Sequence, residues 1–485
     1  MDIYLIGILL YLVILAAVGV YKSRMVKTQD DFMVAGRKTS ALFLAGTLVC
    51  TWIGSGSLFG GAGLAFRMGF SQLWMSAGAW AGIAIVYFLA HRVRRISQYT
   101  VSDILEKRYS AAARLLGTSA IIIAYLTIAG YQFRGGGRLL HILTGIDPMM
   151  GGAITCAVTI LFTVAAGLVS IIALDLINGI TMTLGVLIAV PLAFVAVGGS
   201  GQMAALPADR FQVFGQENWI WAMGVFLPTF FLLLGESSMY QKFFSAKDEA
   251  TARRAVIGMI IGVIIIESLL NVLSVVGSSK YLTLAPFAAA GGSLDKATTE
   301  TIILHLARFD LPTAGGVLLI CAGVAIILST ANTFLMIPST NVARDIYQRF
   351  INPAISQDGI VWFQRFWIVV LGIVAYVLAN FFKSILDMAF TAYTMVGAGI
   401  TPALLAAFLW KRVTAAGGVA SIVAGMAVTL GITIANFFLP EPLLETDFII
   451  LPAAGASLLC LVVVSLLTPA SPPNKWKPFM EKMQR

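Results

Sequence analysis

The chain has 485 residues, 59% of them hydrophobic and 11% charged, with a mean hydropathy of +0.90. Soluble proteins carry about 25% charge, so the composition excludes an ordinary water-soluble enzyme or binding module and indicates a polytopic membrane protein. The net charge of +9 comes without a basic tail or a basic helical face, so nucleic acid is not an expected partner.

Hydropathy predicts about 13 transmembrane helices, near 3–20, 41–66, 71–91, 115–143, 148–169, 171–196, 218–240, 255–278, 311–337, 360–382, 385–409, 415–438 and 448–468. The first lacks a charged leader and a small-residue cleavage site, so it reads as a retained span. The second holds Gly54, Gly56, Gly60, Gly61 and Gly63, with Ser55 and Ser57 among them. That cluster permits local unwinding, and a broken helix is expected there. A second interruption, at Pro228 or Gly235, lies in the seventh span. Interrupted helices at matching places in two halves point to an inverted repeat with a midplane site. In the eighth span Glu267 lies mid-helix, with Asn271 four residues on. Pairing with Arg134, protonation and a proton relay all remain open for it. Glu236 reads equally as a gate charge or an interfacial one.

Residues 311–347 carry the most concentrated signal. Ser329, Thr330, Asn332 and Thr333 fall within five positions of an apolar helix, and Asn341, Arg344 and Asp345 follow. A lone hydroxyl back-bonds to its own helix. Four polar groups together fit a dehydrated hard cation, which takes hydroxyl and carbonyl oxygens without a buried charge. Asp175, a carboxylate inside the sixth span, is costly there and reads as functional, with helix capping as the plain alternative.

Twenty-four of the 32 Lys and Arg residues fall in one alternating set of loops or the C-terminal tail, Lys242 and Arg114 among them. By the positive-inside rule these face the cytoplasm, which puts the N-terminus outside and the C-terminus in the cytoplasm. Cys50, Cys156, Cys321 and Cys460 lie in apolar runs and read as small apolar residues. The external loops 197–217 and 279–310 hold Gly, Ala, Pro and a few charges, and the tail ASPPNKWKPFMEKMQR is expected to be mobile.

Five segments, in order, resemble the sodium:solute symporter family, which includes carriers of proline, galactose and sialic acid. They are DFMVAGRK at 31–38, GLVSIIALDLINGI at 167–180, YQKFFSAKDEATARRA at 240–255, ILSTANTFLMIPSTNVARDIY at 327–347 and AYTMVGAGITPALLAAFLWKRVTAAGG at 392–418. The resemblance covers essentially the whole chain. It implies an all-α, LeuT-like fold of two inverted five-helix repeats, one extra helix before and two after. The units would be 1–39, 40–200, 201–412, 413–470 and a cytoplasmic tail at 471–485. It also implies a sodium site from the carbonyls of Cys50, Ile53 and Ile326 and the hydroxyls of Ser329 and Thr330. A second sodium, or an ion-exit route, would use Asp175, Ser329, Asn332 and Thr333. The substrate pocket would draw on Ser55, Ser57, Trp74, Ser76, Arg134, Phe231 and Tyr393, among which an arginine suits a carboxylate.

The expected function is sodium-coupled uptake of a small polar organic solute by alternating access. Leu73 and Ser57 stand where sugar carriers place polar groups, which argues against a sugar, and Arg134 favours a carboxylate-bearing solute. The alternative is a choline-like cation, because TWIGSG at 51–56 resembles the choline carrier's run; proton coupling and a transporter-like sensor are further readings. His91, His141 and His305 lie singly, without HExxH or GxSxG, so no enzyme is expected. Sodium is the only expected cofactor; membrane lipid is the other partner, and no obligate protein partner is expected.

Overall fold

The computed structural model describes residues 2–23, 29–96, 98–165, 167–288, 294–382 and 384–480. Among these residues every regular element is helical, apart from one bridge between Thr39 and Ala246. Backbone groups in a bilayer must be satisfied within their own segment, so apolar runs of this length become helices. In chain order the crossings begin with α1 (Ile3–Ser23), α2 (Ala41–Trp52), α3 (Ala62–Met68), α4 (Leu73–Ile96) and α5 (Ala111–Thr144). Next come α6 (Pro148–Ala165), α7 (Leu168–Ala196), α8 (Trp219–Gly235), α9 (Ser237–Ser245) and α10 (Glu249–Tyr281). The set closes with α11 (Thr313–Thr340), α12 (Gln357–Ala379), α13 (Ile385–Gly399), α14 (Thr401–Leu409), α15 (Ala415–Phe438) and α16 (Ile450–Leu467).

Among the described residues, twelve apolar helical stretches are long enough to cross a membrane. One of them, Gly56–Ile96, folds back through a tight turn that brings Gln72 beside Gly61. Gly69 makes that turn with a φ of 67°, and a Cβ there would lie 2.3 Å from the Arg210 carbonyl. The short α2 and α3 thus form one broken crossing, α4 is the next, and 13 crossings result. α11 and α13 are buried almost all round, whereas α1, α15 and α16 turn most of their surface outward. Leu10, Val13, Leu161, Val195 and Leu459 are among the residues facing the lipid side.

Three crossings are interrupted: the second, the seventh and, at Ile400 between α13 and α14, the eleventh. α2 stops at Ile53, whose ψ of 99° leaves the helix, and the chain resumes as a wide π turn over Gly56–Gly61. α8 stops at Glu236, with φ −67° and ψ 103°, and α9 begins at once. Pro228 stays inside α8 without ending it. Gly235 marks the second break because Thr401 packs against it; a Cβ would meet Thr401 Oγ1 at 2.1 Å.

The loops rich in Lys and Arg gather at one end. Arg94 Nε donates to the Ala246 carbonyl (2.6 Å), Arg95 pairs with Glu249 (2.8 Å) and Arg349 with Glu106 (2.7 Å). Arg114, read from hydropathy as a loop charge, is instead buried, bridging Asp103, Glu106 and Asp345. The tail also differs from expectation. Pro473–Met480 is helical and buries Phe479 against Phe408, with ring centroids 5.6 Å apart, and this apolar contact holds the segment on the bundle; residues 481–485 lie outside the described residues. At the other end, Lys296–Thr299 and Ile302–Phe309 fold inward rather than forming a bare loop. Glu300 is fully buried there, paired with Arg138 and accepting from the backbone N–H groups of Ile385 (3.1 Å) and Leu386 (2.9 Å) at the start of α13.

Candidate functional site

The break in α2 frees carbonyls that a continuous helix would consume. α11 crosses this break and presents Ser329 and Thr330 to it. Thr330 Oγ1 lies 3.2 Å from the Cys50 carbonyl and 3.1 Å from the Ile53 carbonyl. Ser329 Oγ lies 3.2 Å from the same Cys50 carbonyl and donates to Asp175 Oδ1 at 2.6 Å. Four of the five residues expected for the sodium site therefore meet at one point. Ile326 lies one turn before Thr330 on α11, fully buried.

Asp175, on α7, is fully enclosed. Besides Ser329 it accepts from Thr47 Oγ1, and Lys242 Nζ stands 3.5 Å from its Oδ2. Lys242 also donates to the Thr47 carbonyl (3.0 Å) and to Thr51 Oγ1. The expected second cation set is thus changed. Its carboxylate faces a protein ammonium, while Asn332 Oδ1 turns away to accept from Thr163 Oγ1 at 3.0 Å on α6. Thr333 Oγ1 lies 3.4 Å from Thr51 rather than at Asp175. Lys242 is itself a correction to the loop reading, because Met239, Tyr240, Phe243 and Phe244 carry it inward on a wholly buried α9.

Two narrow cavities meet at Trp52 and Tyr393, whose rings stack with centroids 6.4 Å apart. One runs past Thr51, Tyr131, Thr330 and Phe334 to Glu236. The other is walled by Ser57, Gln72, Ser76, Glu267 and Asn271. Ser57, Ser76 and Tyr393 are thus brought to the cavity as expected. Four other residues are elsewhere. Ser55 turns its hydroxyl onto Gly135 of α5. Trp74 stacks on Phe214 (5.6 Å) and donates to the Val213 carbonyl (3.0 Å) near the external loop. Arg134 donates to the carbonyls of Ala379 and Phe382 and lines a separate cavity with Tyr376 and Met149. Phe231 packs against Gly397 and Phe230. Ser55 lies in the break after α2, while the other three lie on helices that are apolar around much of their circumference, where hydropathy does not fix which face turns inward.

The two carboxylates of the cavities are held differently. Glu236 caps α9, accepting from the backbone N–H groups of Ser238 (3.3 Å) and Met239 (3.0 Å) and from the Tyr125 and Ser238 hydroxyls. Helix N-terminal amides stabilise an anion there. Glu267 accepts instead from two indoles, Trp52 Nε1 at 2.8 Å and Trp80 Nε1 at 2.9 Å. Sequence reasoning missed Trp52, Trp80, Gln72 and Lys242. The usable signals were a tryptophan beside the glycine cluster and a lysine with apolar neighbours on both sides.

The profile of the sodium:solute symporter family matches residues 32–425. The high-affinity proline transporter PutP of Bacillus subtilis is 27% identical, over 93% of this chain and 96% of its own. The osmoregulated proline transporter OpuE of the same organism is 24% identical, over 99% and 98%. Among solved structures, a Na+-coupled sialic acid symporter superposes with a TM-score of 0.81 at 18% identity, covering 97% of this chain and 99% of its own. A nucleobase-cation-symport-1 family transporter gives 0.59 at 11% identity, covering 92% and 97%, so the two share the helical arrangement. With four-fifths of its length matched by the family profile, this membrane chain belongs to the sodium:solute symporter family, carriers that use sodium to move a small solute.

Proposed function

We propose that the chain imports a small polar organic solute by alternating access, with one sodium ion held where α11 crosses the break in α2. The carbonyls of Cys50, Ile53 and Ile326 and the hydroxyls of Ser329 and Thr330 supply its oxygens. The observation that carries this reading is Thr330 Oγ1 within 3.2 Å of two carbonyls released by the helix break. A hard, dehydrated cation needs such a set of uncharged oxygens. The membrane potential then contributes about 2.3 kcal/mol per charge per 100 mV to uptake. Lys242 serves as the fixed cation of the Asp175 cluster, so a second sodium is not required for charge balance. The N-terminus faces out and the basic end faces the cytoplasm, in keeping with the positive-inside rule. The chain is read as a carrier rather than a catalyst.

The solute occupies the space around Trp52 and Tyr393, beside the interrupted second and seventh crossings. L-Proline is the first solute to test, because the two curated relatives described above are proline transporters. The experiment is uptake of radiolabelled L-proline into vesicles under an inward sodium gradient, against an equal potassium gradient. Sodium-dependent accumulation that is lost in Ser329→Ala/Thr330→Ala supports the reading. Accumulation indifferent to sodium, or kept in that double variant, contradicts it.

A further inference from the structure

The second cavity contains a carboxylate without a counter-charge. Glu267 is 7% exposed, and among the described residues no Lys, Arg or His pairs with it. Its two oxygens accept from the Trp52 and Trp80 indoles, and the Ser76 and Ser57 hydroxyls are further neutral donors beside it. Those neutral donors orient the carboxylate but leave its charge uncompensated, which is costly in a membrane interior. Every other fully or largely buried carboxylate of the central crossings has a cation or a helix terminus. Asp175 has Lys242, Asp345 has Arg114, and Glu236 has the first amides of α9.

One turn along α10, Asn271 repeats the pattern. Its Nδ2 donates to Gln72 Oε1 at 2.6 Å, and its Oδ1 is buried with no donor among the described residues. Residues four apart lie on one helix face. Glu267 and Asn271 both line the cavity, so one wall of it presents hydrogen-bond acceptors: a carboxylate and an unpartnered amide oxygen. The Trp52 and Tyr393 rings form the neighbouring wall, and aromatic faces attract cations. An acceptor wall with a net negative charge calls for a ligand group that is positively charged and carries N–H bonds. A carboxylate or a sugar hydroxyl does not supply the charge, and a quaternary ammonium has no N–H for Asn271 Oδ1.

We infer that this cavity reads a protonated primary or secondary amine on the solute, with Glu267 as its counter-ion and Asn271 Oδ1 as a second acceptor. This rests on the cavity being the solute site. Trp80 is a positioning residue, since it reaches the amine only by holding Glu267.

The test is thermal unfolding of the purified full chain in NaCl, with each of seven compounds. Four are amines: L-proline, L-alanine, pyrrolidine and putrescine. Three lack an N–H ammonium: cyclopentanecarboxylate, choline and galactose. A compound that binds the folded state raises its unfolding temperature. One or more amines are expected to give the largest shift. In Glu267→Gln the apparent affinity for that amine falls about 10- to 100-fold, the range of a lost hydrogen bond to a charged group. Glu267→Asp keeps the charge on a shorter arm and retains part of the shift, which covers the case that the amide variant does not fold. The largest shift coming from a compound without an amine, no shift from any of the four amines, or an undiminished amine shift in Glu267→Gln overturns the inference. The sodium shift of the wild type and of each variant in the absence of solute reads the ion site separately, so loss of the amine effect with the variant's sodium shift intact implicates Glu267 and not the ion site.

Discussion

Among the carboxylates deep in the central helices, Asp175 and Glu267 are treated in opposite ways. Asp175 is surrounded by Thr47, Ser329 and the Lys242 ammonium, so its charge is balanced inside the chain. Glu267 is held by two indoles and faces a cavity, so its balance must come from outside. The first arrangement belongs to a part of the molecule that must hold its charge pattern through the cycle. The second is a binding surface whose charge is useful only while a ligand is present. Burial alone does not separate the two, since both acids are buried; the identity of the partner does.

Removing one side of the Asp175 pair should produce the largest effect. Lys242→Met leaves a buried carboxylate uncompensated and is expected to cost about 3–5 kcal/mol in potassium salts. Sodium should restore part of that loss by taking the vacated oxygens, as read by unfolding temperature in NaCl against KCl. Equal loss in the two salts would break the comparison on its Asp175 side. At the other acid the sign reverses. Glu267→Gln relieves an unbalanced charge, so the solute-free protein should be unchanged or up to about 1 kcal/mol more stable. A loss of several kcal/mol without solute would mean that Glu267 is structural.

Ser329→Ala and Thr330→Ala sharpen the boundary between the two regions. Each removes one oxygen at the α2 break and should weaken apparent sodium affinity about tenfold, given the worth of a hydrogen bond to a charged group. A sodium titration followed by unfolding temperature measures it. The smallest effect belongs to the peripheral network. Burial raises the Glu106 carboxyl, but hydrogen bonds from Arg349 and Arg114 outweigh it and hold the group below the usual range. A depressed acid contributes stability above its unfolded pKa and loses it as pH falls through the folded value. Glu106→Gln should therefore flatten acid sensitivity below about pH 4.5, by less than about 1 kcal/mol because the pair is partly exposed. An unchanged acid profile would remove Glu106 from that account.

The ion side was more legible from residues than the solute side. Ser329 and Thr330 stand out because hydroxyls cluster in an otherwise apolar helix. Cys50 and Ile53 meet Thr330 through their carbonyls, so only the family resemblance pointed to them. The number of crossings and the breaks in the second and seventh crossings followed from hydropathy and from Gly54–Gly63 and Gly235, whereas the break at Ile400 between α13 and α14 went unread. Lys242 and Arg114 were misread because a hydropathy window does not distinguish a basic residue at the lipid interface from one carried inward. Trp74, Phe231 and Arg134 were misplaced for a related reason: helices apolar on several sides give no sequence cue to their rotation. Glu267 was visible as a buried acid, but its partners Trp52 and Trp80 come from two other helices, and such a meeting is a property of the fold.

The most direct measurement is equilibrium binding of radioactive sodium to the purified protein, counted per chain for wild type, Ser329→Ala/Thr330→Ala and Lys242→Met. The account predicts one ion in the wild type, none at the same concentration in the double hydroxyl variant, and an additional ion in Lys242→Met. Two ions in the wild type, or one retained in the double variant with unchanged affinity, would contradict it.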